Sequence, residues 1–268
     1  MSEFLKRLWK MSKENKSRIV LALDPSAKLT VSNESDKDRL REELVETALR
    51  VIHETRDHIA AIKINRQLIL PLGLFDRLQK IIKVAKSFKL PLIVDCKIND
   101  VGHTNLWIAQ HYFDAGFDAV IANPFVGWEG GLDSVFELAH GNGKGVILLV
   151  YMSHPASREG YGQSIYDPYS GQKTPQYLAF AKKAAKWKAD GVVCGATFPD
   201  KIRDVYNVLG GEIPIFSPGI GAQGGAIKEA FNAGTSFAIV GRSIYQAENP
   251  KNTVLSFKRL INQFLKDQ

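Results

Sequence analysis

Short apolar runs alternate along the chain with segments in which apolar residues recur at helical spacing. The runs are continuous and do not alternate with polar residues, which is typical of parallel strands covered on both faces. The eight predicted strands are Arg18–Leu23, Ala60–Ile64, Leu92–Asp95, Ala119–Ala122, Val146–Val150, Val192–Cys194, Ile213–Phe216 and Phe237–Val240.

Eight helices are expected between and after these strands: Asp36–Thr55, Phe75–Ser87, Thr104–Ala115, Glu129–Ala139, Pro175–Ala189, Asp200–Leu209, Gly225–Ala233 and Pro250–Lys266. The alternation predicts an α/β fold, a (β/α)8 TIM barrel, formed as a single domain by residues 1–268 with 1–17 as an N-terminal extension. A doubly wound open sheet is the competing arrangement. Its dinucleotide-binding form is disfavoured because no Gly-x-Gly-x-x-Gly follows the first strand.

The third predicted strand ends in a cluster of charges within Leu92-Ile-Val-Asp95-Cys-Lys97-Ile-Asn-Asp100. Side chains alternate along a strand, so Asp95 and Lys97 are expected to point the same way, roughly 7 Å apart, with Cys96 opposite. Charges inside a strand are costly unless they are paired. The cluster therefore predicts a functional site.

Other polar residues follow the remaining strands, at the end of the barrel where active sites form. They are Asp24 after the first strand, Lys63 at the second, Asn123 and Pro124 after the fourth, and Ser153 and His154 after the fifth. One aspartate at a strand end is commonly a helix cap and one lysine a solvated cation. Five charges of alternating sign (Asp24, Lys63, Asp95, Lys97 and Asp100) favour a shared site instead.

A glycine-rich loop follows the seventh strand in Ser217-Pro-Gly-Ile-Gly-Ala-Gln223-Gly-Gly225, and Gly241-Arg242 follows the eighth. Glycines let backbone N–H groups approach an anion, the next helix N-terminus adds positive potential, and arginine binds phosphate through two donors. These two loops predict a phosphate site, over which Gln223 can close.

Charge and composition narrow the function classes. The formal net charge is +7, but residues 1–18 contribute four of these charges, so no broad nucleic-acid surface is expected. Phe4, Leu5, Leu8 and Trp9 predict a short amphipathic helix that packs on the body, neither a secretory signal nor a membrane anchor. No apolar stretch is long enough to span a membrane.

Only two cysteines occur, both in apolar runs, which favours a reduced, cytoplasmic setting with Cys96 and Cys194 in the core. The six histidines show no paired ligand spacing, so no metal site is predicted.

The charged residues at the strand ends and the two glycine-containing loops together resemble the orotidine 5'-phosphate decarboxylase family, from about Ile19 to Tyr245. The most specific match is Asp-x-Lys-x-x-Asp at Asp95, Lys97 and Asp100. Further matches are Met152-Ser-His-Pro, Ser217-Pro-Gly-Ile-Gly-Ala-Gln-Gly-Gly and Val240-Gly-Arg-Ser-Ile-Tyr. The resemblance implies a small-molecule nucleotide substrate, no cofactor, and a homodimer in which Asp100 and Thr104 complete the partner's site.

The resemblance also implies a role for each remaining residue. Lys97 would protonate C6 of the pyrimidine, and Asp95 would lie near the departing carboxylate and orient that lysine. The residues expected to bind substrate are Asp24 and Lys63 at the ribose, Ser153 at the pyrimidine, and Pro218, Gln223, Gly241 and Arg242 around the 5'-phosphate.

The sequence departs from the family pattern in two places. A hydrophobic residue and then proline commonly follow the second aspartate of the motif, but here Val101 is followed by Gly102 and His103. Glycine predicts extra backbone freedom there. The Ser153–Thr174 segment is longer than in compact members, and a loop of this length is usually functional.

Three other functions remain open. Relatives with the same motif, 3-keto-L-gulonate 6-phosphate decarboxylase and hexulose-6-phosphate synthase, use Mg²⁺ to stabilise an enediolate. A Schiff-base aldolase using Lys63 or Lys97 is disfavoured because adjacent carboxylates keep a lysine protonated. A non-catalytic phosphate-binding barrel would be expected to lack some of the five charged residues, and all are present.

Overall fold

A computed structural model of the chain describes residues 1–27, 33–166, 171–221 and 224–266. Its helices are α1 Glu3–Glu14, α2 Glu34–Thr55, α3 Arg66–Leu72, α4 Leu78–Ser87, α5 Gly102–Ala115, α6 Asp133–Gly141, α7 Gln176–Lys186, α8 Pro199–Leu209, α9 Gly224–Asn232, α10 Arg242–Tyr245 and α11 Pro250–Lys266. Its strands are β1 Ile19–Leu23, β2 Ala61–Asn65, β3 Leu92–Ile98, β4 Ala119–Ala122, β5 Gly145–Tyr151, β6 Ser164–Tyr166, β7 Lys173–Pro175, β8 Gly191–Cys194, β9 Ile215–Pro218 and β10 Phe237–Val240.

Eight of these strands close a parallel barrel in the order β1-β10-β9-β8-β5-β4-β3-β2. Strands β1, β4, β5, β8 and β10 are buried along their whole length, as expected for strands covered by helices outside and by packed side chains inside. The predicted (β/α)8 barrel is therefore confirmed, and the open-sheet alternative is wrong.

Most predicted elements are present; the differences are shifted ends and one missed helix, α3. The strand predicted to stop at Asp95 continues to Ile98, and the run predicted from Ile213 forms a strand only from Ile215 to Pro218. The helix predicted from Phe75 begins at Leu78, after a separate helix that the prediction missed and a turn at Gly73–Arg77. The helix predicted from Glu129 begins at Asp133, because Gly130 takes a left-handed backbone with φ of 63°.

The N-terminal helix α1 covers the end of the barrel opposite the carboxyl ends of the strands. Phe4 and Leu8 are fully buried, and the Trp9 ring lies 4.8 Å from that of Phe237 at the start of β10. Phe4 occupies the space that a side chain at Gly145 would need. The predicted amphipathic helix is thus confirmed, and its apolar face forms part of the core.

The long segment after β5 carries structure of its own. A 3-10 turn spans Pro155–Glu159, and β6 pairs antiparallel with β7 outside the barrel. The Tyr161 ring packs against Phe125 and Phe180, which anchors the segment to the barrel. Residues 167–170 lie outside the described residues.

Candidate active site

A cavity of about 660 Å³ opens at the carboxyl ends of the barrel strands. It gathers residues from distant parts of the chain, because every parallel strand ends at the same rim. Among the sequence-predicted site residues, those lining the cavity are Asp24, Lys63, Asp95, Lys97, Ser153, Pro218, Gly241 and Arg242.

Four charged side chains form a row of alternating sign across the floor of this cavity. Lys63 Nζ lies 3.4 Å from Asp24 Oδ2 and 3.0 Å from Asp95 Oδ2. The other oxygen of Asp95 lies 2.6 Å from Lys97 Nζ. Asp95 therefore holds both lysines, one on each carboxylate oxygen.

Burial and charge pairing act in opposite directions on this row. Burial disfavours the ammonium of Lys63, but attraction to Asp95 and Asp24 outweighs it and raises the pKa of that lysine. Burial likewise disfavours the Asp95 carboxylate, but Lys63 and Lys97 outweigh it, and the pKa of Asp95 is lowered. Lys63 and Asp95 are thus held in their charged forms at neutral pH.

The end of β3 is irregular at Lys97. This residue has a left-handed backbone with φ of 49°, and the pairing of β3 with β4 shifts register between Val94 and Ile98. A left-handed conformation at a residue with a Cβ costs about 1–2 kcal/mol. Even so, Asp95 and Lys97 both face the cavity while Cys96 is buried behind the strand.

Ser153 is held by close backbone contacts on two sides. A Cβ at Gly195 would lie 2.6 Å from the Ser153 Cα, and one at Gly219 would lie 3.2 Å from the Ser153 Cβ. The Thr197 hydroxyl donates a hydrogen bond of 2.9 Å to the Ser153 carbonyl. A side chain at Gly195 would displace Ser153, and at Gly219 the left-handed backbone with φ of 91° also favours glycine.

Another part of the cavity wall comes from the end of β9 and the residues that follow β9 and β10. Pro218 and Gly219, whose φ is 91°, form one side, and Gly241 and Arg242 form the other. Arg242 is the first residue of α10 and lines the cavity. Gln223 lies outside the described residues.

Asp100 and Thr104 do not line this cavity. Asp100 is exposed, and its backbone N–H donates to Asn105 Oδ1 at 2.9 Å, while its own carboxylate accepts from the N–H of Val101 at 2.7 Å. The prediction of extra backbone freedom at Gly102 is wrong. This glycine begins α5, and a Cβ there would lie 2.8 Å from the Gly130 carbonyl, so close packing requires it.

Sequence reasoning missed two residues beside the charge row, Asn65 and Gln67. The Asn65 amide lies 3.4 Å from Asp95 Oδ2, and its backbone N–H donates to Asp24 Oδ1 at 3.1 Å. Gln67 donates to the Asp24 carbonyl at 2.7 Å. The signal in the sequence was an asparagine directly after a strand, a common start of a helix.

Within the described ranges, no group of three or more His, Cys, Asp or Glu side chains is arranged to hold a metal ion. No helix in the same ranges combines the length and apolar character needed to cross a bilayer.

Fold and site together define a (β/α)8-barrel protein of the enzyme type, with paired charges at the carboxyl ends of its strands. Comparison with known families then makes the assignment specific. The family model described as "Orotidine 5'-phosphate decarboxylase / HUMPS family" matches residues 17–257. The chain belongs to this family.

Individual proteins similar to this chain carry the name of the same family. A protein of Methanosarcina barkeri named orotidine 5'-phosphate decarboxylase is 36% identical over 238 residues, which is 89% of this chain and 91% of that protein. The crystal structure of orotidine 5'-phosphate decarboxylase from Pyrococcus horikoshii matches with a TM-score of 0.70 at 32% identity, covering 91% of this chain and 99% of the other. The inhibitor complex of the Methanocaldococcus jannaschii enzyme matches with a TM-score of 0.72 at 28% identity, covering 92% and 99%.

Proposed function

We propose that this chain converts orotidine 5'-phosphate to UMP and CO2, the last step of pyrimidine nucleotide synthesis. The observation that carries the proposal is the row Asp24–Lys63–Asp95–Lys97, whose consecutive contacts are 3.4, 3.0 and 2.6 Å. Family membership and relatives that bear the name of this enzyme support the same substrate and reaction.

The chemical problem is the charge left on the ring. When the bond between C6 and the carboxylate breaks, its electron pair remains on C6, in an orbital with little conjugation to the pyrimidine. A positive group placed before the reaction stabilises such a charge best. Lys97 is half-buried at the cavity floor, so its ammonium can pair with the carbanion and then transfer a proton to C6.

Asp95 and Lys63 prepare Lys97 for this role. Asp95 contacts Lys97 at 2.6 Å, and the family motif implies that it lies near the departing substrate carboxylate. Lys63 holds the other Asp95 oxygen at 3.0 Å and, with Asp24, would bind ribose hydroxyls. After the proton transfer Lys97 is neutral and regains a proton from solvent.

The rest of the cavity suits a nucleotide. Ser153 would hydrogen-bond the pyrimidine, and the Pro218 and Gly241 loops with Arg242 would hold the 5'-phosphate. We retain Gln223 as a phosphate ligand on the sequence motif alone. Phosphate binding far from C6 can be used to order the loops and so lower the barrier.

We propose a homodimer on the strength of one surface. Near Asp100 and Thr104, Val101 is 64% exposed and Trp107 51% exposed. The His111 ring contacts both Trp107 and Phe75, which is 60% exposed. Exposed apolar clusters are typical of protein interfaces, and a partner subunit bound to this surface would lie next to Asp100 and Thr104.

The Trp107→Glu substitution is expected to shift the protein from dimer to monomer in analytical ultracentrifugation. An unchanged molecular mass would contradict the assignment of this surface as the dimer interface.

We propose the redox environment of the protein from its two cysteine thiols. Cys96 and Cys194 are both free and buried, which supports a reduced, cytoplasmic environment.

The test of the function is the loss of orotidine 5'-phosphate absorbance after mixing with protein dialysed against EDTA. We expect turnover that EDTA does not change, and no turnover by the Lys97→Ala variant. Inactive wild-type protein would refute the proposal. Activity on a sugar phosphate that disappears with EDTA would favour the Mg²⁺-dependent relatives instead.

A further inference from the structure

We propose that Asn65 is a positioning residue that joins the Asp24 and Asp95 carboxylates and fixes both around Lys63. The inference rests on the proposed function, because Asn65 would act by orienting Asp95, which in turn orients Lys97 toward the substrate. It adds a neutral residue to the row of charges formed by Asp24, Lys63, Asp95 and Lys97.

Asn65 reaches both carboxylates from one position in the barrel. It is the last residue of β2 and is the register partner of Asp95 on β3. Its backbone N–H donates to Asp24 Oδ1 at 3.1 Å, and its side-chain Nδ2 lies 3.4 Å from Asp95 Oδ2. One residue thus connects the ends of β1 and β3 across the strand that carries Lys63.

The orientation of the Asn65 amide follows from its other contact. The backbone N–H of Gln67 lies 3.2 Å from Asn65 Oδ1, which makes Asn65 the N-cap of α3. A backbone N–H can only donate, so the amide oxygen must face the helix. The amide nitrogen is then left to face Asp95.

Asp95 is surrounded by groups that act on its charge. Lys63 faces it from β2 and Lys97 from β3, Asp24 shares Lys63 with it, and Arg242 lies across the cavity. The Asn65 amide adds a donor to the oxygen that Lys63 already holds. It stabilises the carboxylate without adding a positive charge that would compete with Lys97 for Asp95.

Gln67 supports the same arrangement from the other side. Its side chain donates to the Asp24 carbonyl at 2.7 Å, so the first turn of α3 holds the end of β1. Two residues of one short segment therefore fix Asp24, one through its carboxylate and one through its backbone.

Two substitutions separate positioning from helix capping, since both serine and aspartate are good N-caps. Asn65→Ser keeps the cap but is too short to reach Asp95. Asn65→Asp keeps the cap and the shape but places a second carboxylate beside Asp95. Asn249, whose Oδ1 accepts from the Asn252 N–H at 2.8 Å outside the cavity lining, offers the matched control Asn249→Ser.

We expect Asn65→Ser to lower kcat about tenfold with little change in KM, because a misplaced Asp95 no longer aligns Lys97. A second carboxylate disfavours ionisation of Asp95 and raises its pKa. Asn65→Asp is therefore expected to move the acidic limb of the kcat profile to higher pH by about one unit. Asn249→Ser is expected to match the wild type in both measurements.

Wild-type kcat in Asn65→Ser, together with an unmoved acidic limb in Asn65→Asp, would overturn the inference while leaving the proposed function intact. If the wild-type protein fails to decarboxylate orotidine 5'-phosphate, the function falls, and the Asp95 carboxyl is then titrated by ¹³C NMR. A higher Asp95 pKa in both Asn65 variants upholds the link between the two residues, and identical titration curves reject it.

Discussion

The two ends of this barrel are built from the same strands and carry opposite kinds of contact. At the carboxyl ends, four charged side chains face a cavity of about 660 Å³. At the amino ends, α1 fills the opening with Phe4 and Leu8, which are fully buried. The buried charges of the open end face a cavity, whereas the closed end is covered by α1, which adds apolar burial and an ion pair between Arg7 and buried Asp118.

The difference indicates a division between chemistry and stability along the barrel axis. The cavity end keeps Lys97 in a left-handed backbone and Lys63 almost fully buried, both of which are unfavourable by themselves. Packing at the other end, together with the core, offsets such costs. Substitutions at the cavity end should thus change rate, and those at the closed end should change stability.

The largest expected effect comes from Lys97→Ala. Removing the proposed proton donor should lower kcat by about 10⁴-fold or more, since the proposed mechanism loses both charge stabilisation and protonation at C6. Alanine retains the Cβ and therefore the same backbone cost at this position. UMP binding by calorimetry should survive, and turnover close to that of the wild type would remove Lys97 from its proposed role.

The next effect is on stability, in Phe4→Ala. Loss of a fully buried phenylalanine should cost about 3–5 kcal/mol, and the melting temperature should fall by roughly 10 °C while kcat at 25 °C is unchanged. Lys10→Ala, on the same helix with its side chain 74% exposed, is the matched control. A fall in kcat with an unchanged melting temperature would break the proposed division.

A smaller effect is expected in Arg242→Ala. Loss of the two charge-assisted hydrogen bonds proposed between Arg242 and the phosphate should raise KM by about 10- to 100-fold. The binding of UMP should weaken while that of uridine, which lacks the phosphate, stays the same. Arg39→Ala on the surface of α2 serves as the control, and equal effects on UMP and uridine would contradict a phosphate role.

The smallest effect is expected in Arg7→Ala at the closed end. Arg7 pairs with buried Asp118 at 3.0 Å, but this carboxylate also accepts from the Leu92 N–H at 2.9 Å and lies 3.4 Å from Lys144 Nζ. Since these partners remain, unfolding free energy should drop by about 1 kcal/mol or less. Denaturant titration measures this, and a loss as large as that of Phe4→Ala would make α1 primarily an electrostatic contact.

The sequence predicted the alternation of strands and helices and the side chains at the ends of the strands. The runs Ala119–Ala122 and Phe237–Val240 match the observed strands residue for residue. Predictions were wrong where glycine or proline chemistry shifted an element, as at Gly130 before α6. They also missed α3, a short helix that starts at Asn65 and contains Pro71.

By itself, the sequence determined the barrel and the chemical character of its rim, because residue periodicity and strand-end composition are local properties of the chain. Only the tertiary structure decided which groups meet. Closure of the barrel brings Lys63 into contact with Asp24 and Asp95, and it packs Phe4 against Gly145. The left-handed backbone of Lys97 likewise appears only in the folded barrel. Such contacts depend on strand register and packing, which no local pattern encodes.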